Sequence, residues 1–350
     1  MRRVLIFIII SALSLNLNLG FGFCDDKGDK NLKREVEIGK KALPEIKKHF
    51  EIISDPVITA RLDMILNRLE PHMSRRIDWN IYLIKSDVIN AFCLPGGFIF
   101  FTTGILNILH HDSEIAAVMA HEMIHADRSH SLRMMAKSNK VTLGALAVML
   151  ASGGAAAPII LAQVAQVAIT SGYTIEFEKE ADSLGLEALI ESGYNPAGMV
   201  VLFEKFLYDD FTKPIINAGI YMNHPETNKR LETTLKTLRE KNIPVNRKYS
   251  LNILRTAIDE KNNNLLIDGN IILNAKNVNS LKNIKSNLDN FLQMETAPYE
   301  INIIGENLKI KNKLILNSND VNTPLKNIRE NLVKAVDSAK IKYPTSRTFK

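Results

Sequence analysis

Apolar residues recur at helical spacing through most of the first 240 positions. Between positions 32 and 50 they alternate with Lys/Glu pairs, in a helix that Pro44 is expected to interrupt. Asp55-Pro56 has the form of an N-cap followed by a first-turn proline. Ile58, Leu62, Ile65, Leu66 and Leu69 carry that helix to Pro71. Residues 79–85 and the aromatic-rich 98–102 have strand character, with 90–97 between them as a turn. Asp112 is the expected N-cap of a helix over 113–130. Helices are also expected from 176 to about 191, from about 196 to 208, and from His224-Pro225 to Leu238.

Two regions break the pattern. Residues 141–175 carry no charged side chain, and Gly153-Gly154 and Pro158 divide them into two apolar arms. Each arm is shorter than the roughly 20 residues a membrane span needs. Two buried helices covering the site, able to touch a membrane or an apolar substrate, are expected in preference to a transmembrane hairpin. After about position 249 two similar blocks follow each other, 271–288 (IILNAKNVNSLKNIKSNL) and 314–332 (LILNSNDVNTPLKNIRENL). They are offset by 43 positions before the extra Pro324, so that Val278 matches Val321 and Leu281 to Ile284 match Leu325 to Ile328. Two hairpin-plus-helix repeats in a small α+β appendage over 250–345 are the expectation. The abundant asparagines there read as compositional bias.

Composition adds boundaries. The chain has 350 residues, 46% hydrophobic and 23% charged, with a net charge of +6. That is ordinary globular usage. No dense basic block or aromatic-interleaved basic stripe supports nucleic-acid binding. Arg2 and Arg3, an apolar run over 4–15 and a small-residue exit near Gly20 and Gly22 form a secretory leader over 1–24, with an uncleaved anchor as the alternative. Cys24 and Cys93 are the only cysteines. Cleavage of the leader would leave Cys93 without a disulfide partner.

The chemistry concentrates in His121-Glu122-Met123-Ile124-His125. Four residues advance a helix by just over one turn, so both imidazoles leave one face and can share a zinc ion. Glu122 sits beside them, where a carboxylate can take a proton from zinc-activated water. Zinc needs a third protein ligand. A histidine six residues beyond His125 is ruled out, because Ser131 stands there and Arg128 replaces the accompanying glycine. Glu178-Lys179-Glu180-Ala181-Asp182 offers carboxylates on a second helix. Glu178 can bind the metal while Asp182, one turn on, orients a ligand histidine. Glu176 and Glu180 remain rivals on spacing alone.

Taken together, the segments NAFCLPGG (90–97), HEMIHADRSH (121–130), EFEKEAD (176–182) and NHP (223–225) resemble the gluzincin peptidases that include the HtpX, OMA-type, CAAX prenyl and periplasmic BepA-like proteases. The resemblance spans about 35–235. It implies a mostly helical zincin-type α+β core with a small sheet over 31–245, with Glu178 as third ligand and Asp182 behind a ligand histidine. It also implies an edge strand through Phe98, Ile99 and Phe100 that would hold an extended substrate. His224 then becomes a latent fourth ligand or an oxyanion stabiliser, and Arg230 a weaker candidate for stabilising the transition state. His110, His111 and His130 flank the metal helix as second-layer or surface residues. The tetratricopeptide repeats of BepA-like proteins have no counterpart here. The functional expectation is an exported, periplasmic zinc endopeptidase acting on misfolded envelope polypeptides. A latent protease serving as a chaperone or binding module is the alternative.

Overall fold

The computed structural model describes residues 26–138, 157–170, 173–212 and 227–342. The expected leader, the first arm of the uncharged stretch and His224 lie outside the described residues. Helix α1 (Asp26–His49) is not interrupted at Pro44, as the sequence suggested, but continues past it. The proline itself is exposed, while Ala42 and Ile46 on either side of it are completely buried. Packing on both sides of the proline outweighs the one helical hydrogen bond it removes.

Four strands form the core sheet: β1 (Ile52–Ile53), β2 (Asn80–Ile84), β3 (Ala91–Leu94) and β4 (Phe98–Thr102), in the order β1-β2-β4-β3. β2 runs parallel to β4, and β3 antiparallel to it. Most of the expected turn is therefore strand, and only Pro95-Gly96-Gly97 reverses the chain. Gly96 has φ +81°, and a Cβ there would lie 2.5 Å from the Cα of Val36. The pairing also overturns the edge-strand expectation for Phe98, Ile99 and Phe100. β4 is flanked on both sides and wholly buried, so its main-chain groups are already used; β3 holds the edge.

Both faces of the sheet are covered. Phe92, Leu94, Phe98 and Phe100 pack under α1, α5 (His130–Ser138) and α6 (Ala157–Thr170). Helix α6 is the second arm of the uncharged stretch, and it contributes Ile160, Val164, Ala165 and Ala168 to this layer. Among the described residues no helix is long and apolar enough to cross a membrane. Ala91, Cys93, Ile99 and Phe101 face α2 (Pro56–Leu69) and α4 (Asp112–Asp127).

Helix α4 is the centre of the core: Ser113 through Asp127 are all buried. An apolar helix without a polar side must be enclosed, and α7 (Ile175–Glu191) and α8 (Ala197–Thr212) enclose it. Gly198 makes the second contact possible, since a Cβ there would come 2.2 Å from the Ser113 carbonyl oxygen. The N-cap is His111, not Asp112. His111 Nδ1 accepts from the Ser113 amide, and Glu114 accepts from the His111 amide at 3.0 Å. Asp112 is engaged elsewhere, by Arg61 at 2.7 Å. After a short α3 (Thr103–Ile108) and the core helices comes α9 (Thr227–Glu240), packed on α7 and α8.

The five-residue α10 (Arg247–Leu251) leads into the appendage. Arg247 is buried and fork-bonded to Glu204 of α8, and it also pairs with Glu295. Ser250 meets Ser113 at 3.0 Å, at the head of α4. Each repeat has three strands before its helix, one more than a hairpin. They are β5 (Thr256–Asp259), β6 (Asn264–Ile267), β7 (Asn270–Asn274) and α11 (Val278–Phe291), then β8 (Ile301–Ile304), β9 (Asn307–Ile310), β10 (Lys313–Asn317) and α12 (Leu325–Lys342). The repeats interlock: α11 packs on β5 and β10, and α12 on β8 and β7. Asn287 donates to the Ile315 carbonyl and Asn331 to the Ile272 carbonyl, at 2.9 and 3.1 Å. Asn274 to Asn264 and Asn317 to Asn307 form a second matched pair. These six asparagines tie strand to strand within a repeat and helix to sheet between the repeats.

Candidate metal centre

Helices α4 and α7 cross where Gly185 faces His121; a Cβ on that glycine would stand 3.3 Å from the His121 amide nitrogen. The close approach lets carboxylates of α7 reach the imidazoles of α4. His121 Nε2 lies 3.0 Å from His125 Nε2, and each is 3.6 Å from an oxygen of Glu178. Ligand atoms arranged tetrahedrally at zinc distances are about 3.3 Å apart. The three residues are 5%, 1% and 2% exposed, and their ligand atoms form a group able to hold a metal ion. Such a donor set, two imidazoles and a carboxylate with no sulfur, fits zinc with a coordination position left over.

The rival carboxylates separate cleanly. Glu176 is exposed, and Glu180 reaches not this cluster but His130 Nε2, at 3.2 Å. Asp182 accepts from His121 Nδ1 at 3.0 Å. Arg230, on α9, holds Asp182 with two hydrogen bonds of 2.7 Å and approaches Glu178 at 3.3 Å. Its guanidinium lies over the Phe203 ring, 4.7 Å from the centroid. Burial alone would raise the Asp182 carboxyl, but Arg230 and His121 hold it well below the usual carboxylate range.

Glu122 is 1% exposed, and its Oε1 has no hydrogen-bond partner among the described residues. Burial pushes its carboxyl up to about 8, against the pull of His121. A divalent cation held by the neighbouring ligands would favour the ionised form. Leaving a buried carboxylate oxygen without a partner is unfavourable, and a metal with its water is the partner that this geometry suits.

Of three further neighbours, Tyr173 and Cys93 were not assigned to the site by sequence, and His130 was placed only as a second-layer or surface residue. Tyr173 stacks on His125 with ring centroids 4.0 Å apart and hydrogen-bonds Ser131. Cys93 is buried on β3, close enough to Glu122 to feel its charge, with its thiol pushed well up by burial. His130 Nδ1 lies 2.8 Å from His125 Nδ1. Burial lowers His130 to about 4, against Glu180. None of the three carries a spacing signal. His110 and His111 sit beyond the far end of α4, where His111 caps the helix.

The sequence profile of Peptidase family M48 matches residues 57–238, more than half of the chain and all of the residues just described. The chain belongs to peptidase family M48. Similar proteins include the beta-barrel assembly-enhancing protease of Escherichia coli K12, 29% identical over 209 residues, which cover 57% of this chain and 42% of that protein. The mitochondrial metalloendopeptidase OMA1 of Arabidopsis thaliana is 28% identical over 51% of this chain and 37% of its own length. Metalloprotease LoiP of E. coli K12 is 27% identical over 49% of this chain and 67% of its own. The chain thus spans less than half the length of the first curated relatives it matches. The family profile's match ends before the appendage.

Proposed function

We propose that this M48 chain is a zinc-dependent endopeptidase. The observation that carries the reading is the triangle of His121 Nε2, His125 Nε2 and the Glu178 carboxylate, with the partnerless oxygen of Glu122 beside it. Zinc bound there supplies a Lewis acid for the scissile carbonyl and lowers the pKa of water from about 15.7 to about 7. Glu122 accepts a proton from the attacking water and delivers it to the leaving amide nitrogen. Asp182 fixes the His121 ring through Nδ1, and Arg230 holds Asp182 and Glu178 in place. His224 is retained as a fourth ligand or oxyanion donor.

The substrate reading is a polypeptide of the cell envelope. It rests on the leader-like N-terminus and on relatives named for β-barrel assembly. Peripheral membrane contact through 141–175 belongs to the same proposal, as does a periplasmic location. A second reading draws on burial of the site, where all four central side chains are at most 5% exposed. The resting protein is then latent. The test is zinc stoichiometry together with casein-type proteolysis, with and without a chelator. Purified protein that binds no zinc, or a His121→Ala variant that keeps both zinc and proteolysis, would overturn the assignment.

A further inference from the structure

The two imidazoles of the metal centre are supported differently. Both present Nε2 to the shared position, so in both the proton sits on Nδ1 when the metal is bound. That proton of His121 meets a carboxylate, Asp182. That of His125 meets another imidazole, His130 Nδ1, at 2.8 Å. We propose that His130 is a positioning residue for His125: its Nδ1 accepts the His125 proton, its own Nε2 proton is held by Glu180, and the ligand ring is thereby locked toward the metal. The inference rests on the zinc reading above.

The chain is built to place His130 there. Five residues along an unbroken helix correspond to about 140° of rotation, which would turn His130 away from His125. Helix α4 instead ends at Asp127, and Ser129 adopts φ +54°, a left-handed conformation uncommon for a residue with a side chain. That single residue reverses the chain and starts α5 at His130, beside His125. The reversal is fastened from outside. Ser129 Oγ donates to Glu35 of α1 at 2.8 Å and accepts from Arg75 at 2.8 Å, and Arg75 pairs with Glu35 at 3.0 Å. Strain held by a surrounding network is typical of positions that serve a site.

The outer half of the arrangement is equally specified. His130 is completely buried and stacks on Phe177, centroids 4.4 Å apart and planes 8° from parallel. Arg133 lies 4.5 Å from the same Phe177 ring and 3.6 Å from Glu180. Glu180 comes from the same helix as Glu178, so α7 supplies a ligand on one side and the end of the His125 support on the other.

The test compares zinc affinity, by competition with a chromophoric chelator, in the full-length wild type and two variants. His130→Phe keeps a ring on Phe177 but removes the acceptor, and is expected to weaken zinc binding about 10- to 100-fold. His130→Asn places an amide oxygen near the Nδ1 position, and should recover affinity to within about 3-fold of wild type. Unchanged affinity in His130→Phe, or no recovery in His130→Asn, overturns the proposal. Should His130→Phe not fold, Glu180→Ala on the partly exposed outer residue is expected to weaken zinc binding several-fold, and unchanged affinity there overturns it. Wild type that takes up no zinc refutes the metal centre itself; wild-type binding with an indifferent His130→Phe refutes only the positioning role.

Discussion

Two clusters of buried charge in this protein, the candidate metal centre and the junction with the appendage, are treated differently. At the junction Arg247 is matched by Glu204 and Glu295, and Lys248 by Asp289 and the Leu288 carbonyl. At the candidate metal centre the outer groups are matched as thoroughly, Asp182 by Arg230 and His130 by Glu180. The inner groups converge on one another, and Glu122 keeps an oxygen with no partner among the described residues. Buried charge that is closed on itself holds shape. Buried charge that is closed on the outside and open on the inside holds something else.

The sharpest way to break this contrast is Glu122→Gln. Proteolysis should fall about 100- to 10,000-fold, while zinc content and thermal midpoint stay near wild type. A variant that retained activity would place Glu122 with the structural charges. Arg247→Ala should do the opposite, lowering stability by about 3–5 kcal/mol because Glu204 is left buried and alone. Burial already raises the Glu204 carboxyl, with Arg247 opposing it. Without the arginine the folded protein holds that proton more tightly than the unfolded chain does. The loss should therefore grow as pH rises and shrink toward pH 5 in denaturant titrations. A pH-independent loss would mean that Glu204 does not carry it.

Asp182→Asn sits between the two classes. It keeps an acceptor for His121 but removes the charge that Arg230 grips, and should weaken zinc binding about 10- to 100-fold by chelator competition. The smallest effect belongs to the appendage. Asn331→Ala removes one hydrogen bond to the Ile272 carbonyl and should lower stability by about 1 kcal/mol in denaturant unfolding, with proteolysis unchanged. Altered proteolysis would show that the appendage communicates with the site.

Much of the core was legible because its signals are local. The Asp55 cap, the helical rows of α2 and the one-turn spacing of His121 and His125 depend on residues close in sequence. What escaped was set by distant partners. Residues 91–94 look like a turn because Pro95, Gly96 and Gly97 follow, yet β4 recruits them. Asp112 is the better cap by residue type, yet Arg61 draws it away. Glu178 and Glu180 are two residues apart on one helix, about 200° around its axis, and only the position of α4 decides which meets the imidazoles of His121 and His125. His130 stood among the flanking histidines, but its place against His125 was set by the turn at Ser129, which no glycine announces. In the appendage the duplication was visible, but the reciprocal asparagines were not, since their partners are main-chain carbonyls of the other repeat.

That exchange of helices between repeats limits how the appendage can be divided. A fragment ending near residue 291 keeps α11 without the β10 it covers, and leaves β7 without α12. Two such fragments could satisfy each other by crossing over, as domain-swapped dimers do. The stability of a single-repeat chain would then depend on its concentration, whereas the tandem chain carries both halves on one backbone and holds together at any dilution.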